Sequence, residues 1–145
     1  MTLCVIDASV VIKWFIQEDG TSEALALRTK GLTFIAPDLL APECANILWK
    51  NYRRNEISQG QAEAAADAIA TSIDIEFIPT RSYVAAATRI AISLNHPAYD
   101  CFYLALALQR DCRFITADQR LLNKRHKENG RQFLKLVVSL AEANQ

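Results

Sequence analysis

The run Leu3-Cys4-Val5-Ile6-Asp7 decides the reading of the fold: four apolar residues are followed at once by an acid. A short, continuous apolar run of this kind is the pattern of a strand buried on both faces of a parallel sheet. The same grammar recurs along the chain. Thr33-Phe34-Ile35-Ala36 is stopped by Pro37, and Arg113-Phe114-Ile115-Thr116 is followed within two residues by Asp118. Ile75 to Ile78 mixes apolar residues with Glu76 and ends at Pro79, which reads as an edge strand. A last strand is expected from Phe133 to Val138, after a turn at Asn129-Gly130.

Between these strands lie helical patterns. Ser9 is placed to cap a helix through Val11, Trp14 and Phe15, and Ser22 one that ends near Gly31. Leu39 to Arg54 reads as a helix with Leu40, Cys44, Ile47 and Leu48 on one side, although Pro42 limits how early it can be regular. Ser58 opens an Ala-rich helix to about Ser72. Ser82 caps another, with Tyr83, Ala87, Ile90 and Leu94 on one stripe. Asn95-His96-Pro97 ends that helix and starts the next. Periodicity alone leaves Phe102 to Leu108 open between strand and helix, but its Leu and Ala content favours a helix buried nearly all round. A helix from Asp118 or Gln119 to about Glu128 and a short C-terminal one complete the list.

Strands alternating with helices imply an α/β domain with a parallel sheet covered on both faces. In such sheets ligands bind beyond the carboxyl ends of the strands. Asp7 lies at one such end, and Thr116 and Asp118 lie at another.

The 145 residues fit one domain, 1–145, and a composition of 51% apolar and 22% charged residues is ordinary for a globular chain. The net charge is zero, so any contact with nucleic acid must come from local patches. Cys4, Cys44, Cys101 and Cys112 are far apart with no CxxC pair, and read as small buried hydrophobes rather than a disulfide or zinc framework. No apolar run is long enough to span a bilayer, and Asp7 interrupts the N-terminal one, so neither a membrane span nor a signal peptide is expected. A cytoplasmic location follows as an expectation.

The candidate chemistry is acidic. Glu43 and Asn46 are three apart on a helix and share a face. Asp100 falls in the first turn of the buried helix, where the positive helix end favours an anion. Singly, each acid has a plain explanation: Asp7 as a loop acid, Asp100 as a dipole partner, Asp118 as a helix N-cap. Together they are harder to dismiss. Two carboxylates roughly 5 Å apart repel by about 3 kcal/mol at an effective dielectric near 20, so clustered acids require a proton, a basic partner or a cation. No Lys or Arg adjoins Asp7, Glu43 or Asp100, although Lys13 and Lys50 could reach in from one or two turns away. Hard oxygen donors suit Mg²⁺ or Mn²⁺, which also bind phosphate.

Four segments carry a resemblance. They are Val5-Ile6-Asp7-Ala8-Ser9, Ala41-Pro42-Glu43-Cys44-Ala45-Asn46, the run from His96-Pro97-Ala98-Tyr99-Asp100 to Ala107, and Phe114-Ile115-Thr116-Ala117-Asp118-Gln119-Arg120-Leu121. In order, spacing and chain length they resemble the successive motifs of PIN-domain proteins, in particular the VapC-type toxins of bacterial toxin–antitoxin pairs. No acidic position departs from that pattern. The resemblance implies a five-stranded parallel sheet of order 3-2-1-4-5. It also implies Asp7, Glu43, Asp100 and Asp118 as acids holding Mg²⁺ (or Mn²⁺ in its place), Ser9 and Thr116 as accessory hydroxyls, and Asn46 as a supporting amide. The implied reaction is endonucleolytic hydrolysis of RNA by activated water, leaving a 3′-hydroxyl and a 5′-phosphate. A homodimer, and a cognate antitoxin whose tail covers the acidic groove, are implied in the same way.

Two basic clusters, Lys50/Arg53/Arg54 and Arg120/Lys124/Arg125/Lys127, flank these acids in sequence. Most read as solvated helix faces; Lys50, Arg120 and Lys13 are the candidates for holding RNA phosphates. Tyr99, Phe102 and Tyr103 read as core, His96 as a helix cap without a catalytic role, and His126 as exposed. Trp14 and Phe15 are adjacent and cannot share a face, which leaves one of them as a contact for a partner. Three rival readings stand beside the toxin: a PIN nuclease of RNA maturation, a silent metal-binding or interaction domain, and a phosphoryl-transfer enzyme with an Asp nucleophile.

Overall fold

A computed structural model describes residues 2–71 and 74–145. Five strands form a parallel sheet: β1 (Thr2–Ile6), β2 (Leu32–Pro37), β3 (Ile75–Ile78), β4 (Arg113–Ile115) and β5 (Val137–Val138), in the order β3-β2-β1-β4-β5. Cys4, Val5 and Ile6 of the central strand are fully buried, as are Phe114 and Ile115 beside them. This is why the central strands read as unbroken apolar runs. The chain moves outward from β1 through β2 to β3, then returns to lay β4 against the other side of β1. The strand order therefore reverses between β1 and β4, where Ile6 lies in register with Ile115, and the residues that follow each strand open into one crevice.

Helices α1 (Ala8–Val11), α2 (Thr21–Leu27), α3 (Leu40–Arg53), α4 (Gln59–Thr71), α5 (Val84–Leu94), α6 (Ala98–Arg110), α7 (Gln119–Asn123), α8 (Arg131–Leu134) and α9 (Leu140–Ala143) surround the sheet. In α6, Cys101 and Tyr103 through Ala107 are all buried, so the helix expected to be apolar nearly all round is the one packed between α5 and the sheet. Asn95 and Asp111 end α5 and α6 in the left-handed conformation, at φ 49° each, a geometry that short polar side chains tolerate. Pro42 sits in the first turn of α3, where a missing N–H leaves no bond unmade. Ser58 and Gln61 cap α4 reciprocally, side chain to backbone in both directions. The expected end of that helix at Ser72 lies outside the described residues.

Several boundaries differ from expectation. The strand expected over Phe133–Val138 is the short helix α8 followed by only Val137 and Val138 in the sheet. Apolar residues at 133, 134, 137 and 138 satisfy a helical turn as well as an alternating strand. The first helix begins at Ala8, before Ser9, and Ser9 turns its hydroxyl elsewhere. The second starts at Thr21, after Gly20 at φ 87°, rather than from a Ser22 cap. Ser82 lies inside a tight turn, Arg81–Tyr83, ahead of α5, with no capping bond there. All four cysteines are buried and free. Among the described residues, no helix is long and apolar enough to cross a membrane.

Candidate active site

Asp7 follows β1 directly and is 5% exposed. Its two carboxylate oxygens are separately held: the Ser9 hydroxyl donates to Oδ1 at 2.5 Å and the Thr116 hydroxyl to Oδ2 at 2.5 Å. Ser9 in turn accepts the Ala117 N–H at 2.9 Å, and Thr116 accepts the Asp118 N–H at 3.0 Å. The two accessory hydroxyls thus stitch the end of β1 to the loop after β4 and fix one rotamer of Asp7. Asp118 Oδ1 accepts the Arg120 N–H at 3.0 Å, so this acid does cap a helix, α7, while standing at the crevice.

The other two acids come from helices. Glu43, in the first turn of α3, accepts a hydrogen bond of 2.6 Å from the Tyr103 hydroxyl on α6. Asp100, in the first turn of α6, lies 2.5 Å from His96 Nε2 through Oδ2. His96, Asp100 and Asp118 each present a donor atom within 4.8 Å of the others.

The acids feel one another. Burial pushes the Asp7 carboxyl up to about 7, against the pull of its two hydroxyl donors, and repulsion from Asp100 and Glu43 adds to the rise. Glu43 is raised by burial and by Asp100, with Tyr103 opposing. Asp100 is raised by burial and by the Asp118 carboxylate, with His96 opposing. Even bystander thiols register the field: Cys44 is pushed up to about 12 by burial first, then by Glu43 and Asp7. Among the described residues no Lys or Arg forms an ion pair with any of the four acids. A half-buried cluster of oxygen donors, with His96 beside Asp100 and no Lys or Arg paired with it among the described residues, fits a divalent cation. The donors present would be Asp7, Asp100 and Asp118, with Glu43 beside them.

The PIN domain pattern matches residues 4–127, a span that contains all four acids. The chain belongs to the PIN-domain family. It is 30% identical over 121 residues to ribonuclease VapC1 of Mycobacterium tuberculosis, covering 83% of this chain and 90% of that one. It is 27% identical over 123 residues to ribonuclease VapC3 of Pyrobaculum aerophilum, covering 83% and 92%. In fold it is similar to the crystal structure of PAE2754 from Pyrobaculum aerophilum, with a TM-score of 0.62 at 19% identity over 97% of this chain and 91% of that one. The implied strand order of the PIN domain is the observed one.

Around the acidic crevice of this PIN domain the expected surface residues divide. Lys50 and Arg120 are exposed, on α3 and α7, the helices that carry Glu43 and follow Asp118. Asn46 is exposed on the same helix as Glu43. Lys13, by contrast, gives its ammonium to Glu18 Oε1 at 3.1 Å and the Asp19 carbonyl at 2.7 Å. Lys124 bonds the carbonyls of Leu94 and Asn95, and Arg125 grips Glu142 through both carboxylate oxygens.

Two residues at the site were not read as functional in the sequence. Tyr103 is core, as expected, with its ring stacked on Phe114 at 5.5 Å, but its hydroxyl serves Glu43. The signal was available: a buried tyrosine hydroxyl needs a partner. His96 is buried against Asp100 rather than acting as a simple cap, and its spacing of four residues was the clue. The expectation for Trp14 and Phe15 fails: Trp14 is buried with Nε1 donating to the Ala24 carbonyl at 2.8 Å, and Phe15 is half-buried. Among the described residues the exposed aromatics are Trp49, Tyr52, Phe77 and Tyr99, so Tyr99, at the start of α6, is not the core residue expected.

Proposed function

We propose that this PIN domain, residues 1–145, is a divalent-cation-dependent endoribonuclease that acts as the toxin of a toxin–antitoxin pair. One observation carries the reading: where the strand order reverses, Asp7, Glu43 and Asp100 repel one another and Asp118 repels Asp100, and among the described residues no Lys or Arg pairs with any of the four. The VapC names of its relatives supply the substrate class.

Mg²⁺ or Mn²⁺ held there would acidify water and offset charge on a phosphodiester. The rest of the work falls to the chain. Asp7, Asp100 and Asp118 offer the oxygen donors, with Glu43 on the facing helix. Ser9 and Thr116 keep Asp7 in one orientation, so that little reorganisation is needed when a cation arrives. Tyr103 does the same for Glu43, and Asn46 supports it from the next helical turn. Lys50 and Arg120 would take phosphates on either side of the cleavage point, a role for which Lys13 has no free ammonium. The acidic groove, with no Lys or Arg paired to its acids among the described residues, suits a basic segment of a cognate antitoxin. A homodimer in the cytoplasm belongs to the same reading.

The test is cleavage of RNA by purified protein. Cleavage should require Mg²⁺ or Mn²⁺, leave 5′-phosphate ends, and vanish in Asp7→Asn and Asp100→Asn with the circular dichroism spectrum retained. Cleavage that persists in excess EDTA or in both variants would refute the reading. Expression without the antitoxin should arrest growth in wild type and not in Asp7→Asn; normal growth would point to RNA maturation instead.

A further inference from the structure

The turn between α5 and α6 is held from several directions. Asn95 closes α5 in the left-handed conformation, Pro97 opens α6, and the His96 N–H donates to the Ala91 carbonyl at 3.2 Å. Lys124 adds hydrogen bonds to the carbonyls of Leu94 and Asn95. This turn aims one side chain inward. The His96 side chain is 2% exposed, yet Nε2 faces a carboxylate at 2.5 Å rather than a backbone carbonyl. A ring nitrogen of His96, a carboxylate oxygen of Asp100 and one of Asp118 all lie within 4.8 Å of one another.

We propose that His96 is a cation ligand of this chain: with Asp100 and Asp118 it forms a one-nitrogen, two-oxygen subsite that favours transition ions such as Mn²⁺ over Mg²⁺. The inference rests on reading the acids as a cation site. One ion bonded at about 2.1 Å holds adjacent donors about 3 Å apart and opposite ones about 4.2 Å apart, so the 2.5 Å His96–Asp100 contact would open and Asp118 draw in, each by about half an ångström. A bound ion would take the Nε2 lone pair and leave the ring proton on Nδ1. Mg²⁺ gains little from an imidazole, whereas transition ions gain substantially. The nitrogen therefore sets preference, not merely affinity.

The experiment is pulsed electron paramagnetic resonance of Mn²⁺ added to the whole protein, with calorimetric titration of Mn²⁺ and Mg²⁺, in wild type and His96→Gln. Gln keeps a hydrogen-bond donor near the Nε2 position but offers no imidazole. Wild type should show a directly coupled ¹⁴N nucleus. In His96→Gln the coupling should vanish and Mn²⁺ affinity fall about tenfold or more, with Mg²⁺ affinity changing less than about threefold. Mn²⁺ bound to wild type without nitrogen coupling overturns the inference alone and needs no variant. So does coupling that survives His96→Gln, which would place it on His126, or an equal loss for both ions, which would make His96 only a prop for Asp100. Wild type that takes up no Mn²⁺ overturns both this inference and the cation-site reading.

Discussion

Asp7 and Thr116 lie 109 positions apart, and the Thr116 hydroxyl donates to Asp7 Oδ2 at 2.5 Å in a fully buried setting. The contact exists because β1 and β4 run parallel in register, so that the residue after Ile6 meets the residue after Ile115. Thr116→Val keeps the shape but orphans both Asp7 Oδ2 and the Asp118 N–H. A buried group left unpaired costs about 1–3 kcal/mol, which in a domain of this size lowers Tm by roughly 3–10 °C. Thr116→Ser should recover most of the loss. A Val variant as stable as wild type would show that the hydroxyl does not organise the site.

The cation-free protein should be less stable in mild alkali than in mild acid. The Asp7 carboxyl sits at about 7 in the folded protein against an ordinary value of 3.8. A raised acid favours the protonated folded state, so its contribution is fully present below 3.8 and is lost as pH rises through about 7. The difference is worth on the order of 4 kcal/mol, and the raised Glu43 and Asp100 act with the same sign. Thermal melts in EDTA should show Tm falling between about pH 4 and pH 7 and levelling above that. Excess Mn²⁺ should reverse the fall, and Asp7→Asn should flatten it. A Tm independent of pH in EDTA would contradict the repulsion described above.

The sequence revealed what is local. Apolar runs at Cys4–Ile6 and Phe114–Ile115 announce buried strands because both faces of a central parallel strand are covered, and the edge strand Ile75–Ile78 lies where its mixed composition puts it. The acids were legible through their places at strand ends and helix starts. Pairings between distant segments were not. Nothing in the residues near Tyr103 says that its hydroxyl meets Glu43, 60 positions away. Similarly, Trp14 turned inward because the Ala24 carbonyl offers its indole N–H a buried partner. Among the aromatics left on the surface is Trp49 on α3, whose ring Arg53 covers at 5.1 Å.

Tyr103→Phe separates packing from polarity. The ring keeps its stack on Phe114, so stability should change by no more than about 1.5 kcal/mol. Glu43 loses its only hydroxyl donor among the described residues, and supports of this kind typically matter by about 10–100-fold in metal affinity or turnover. The expected result is a fall in kcat in that range with KM for RNA near wild type. A KM effect with kcat intact would place Tyr103 in substrate contact instead.

Lys50 and Arg120 should govern the salt dependence of RNA binding without touching the chemistry. Lys50 is seven residues beyond Glu43, about 10 Å along α3, and Arg120 is two beyond Asp118; both are exposed. Each phosphate contact on a single strand contributes about 0.7 to the slope of log affinity against log salt. The double variant Lys50→Ala/Arg120→Ala should therefore flatten that slope by about 1.4, raise KM, and leave kcat at saturating RNA unchanged. Lys13→Ala is the control, because its ammonium is already bonded to Glu18 and Asp19 and its loss should leave the slope as it is. If Lys13→Ala flattens the slope and the double variant does not, RNA crosses the sheet edge beside α1 rather than along α3 and α7.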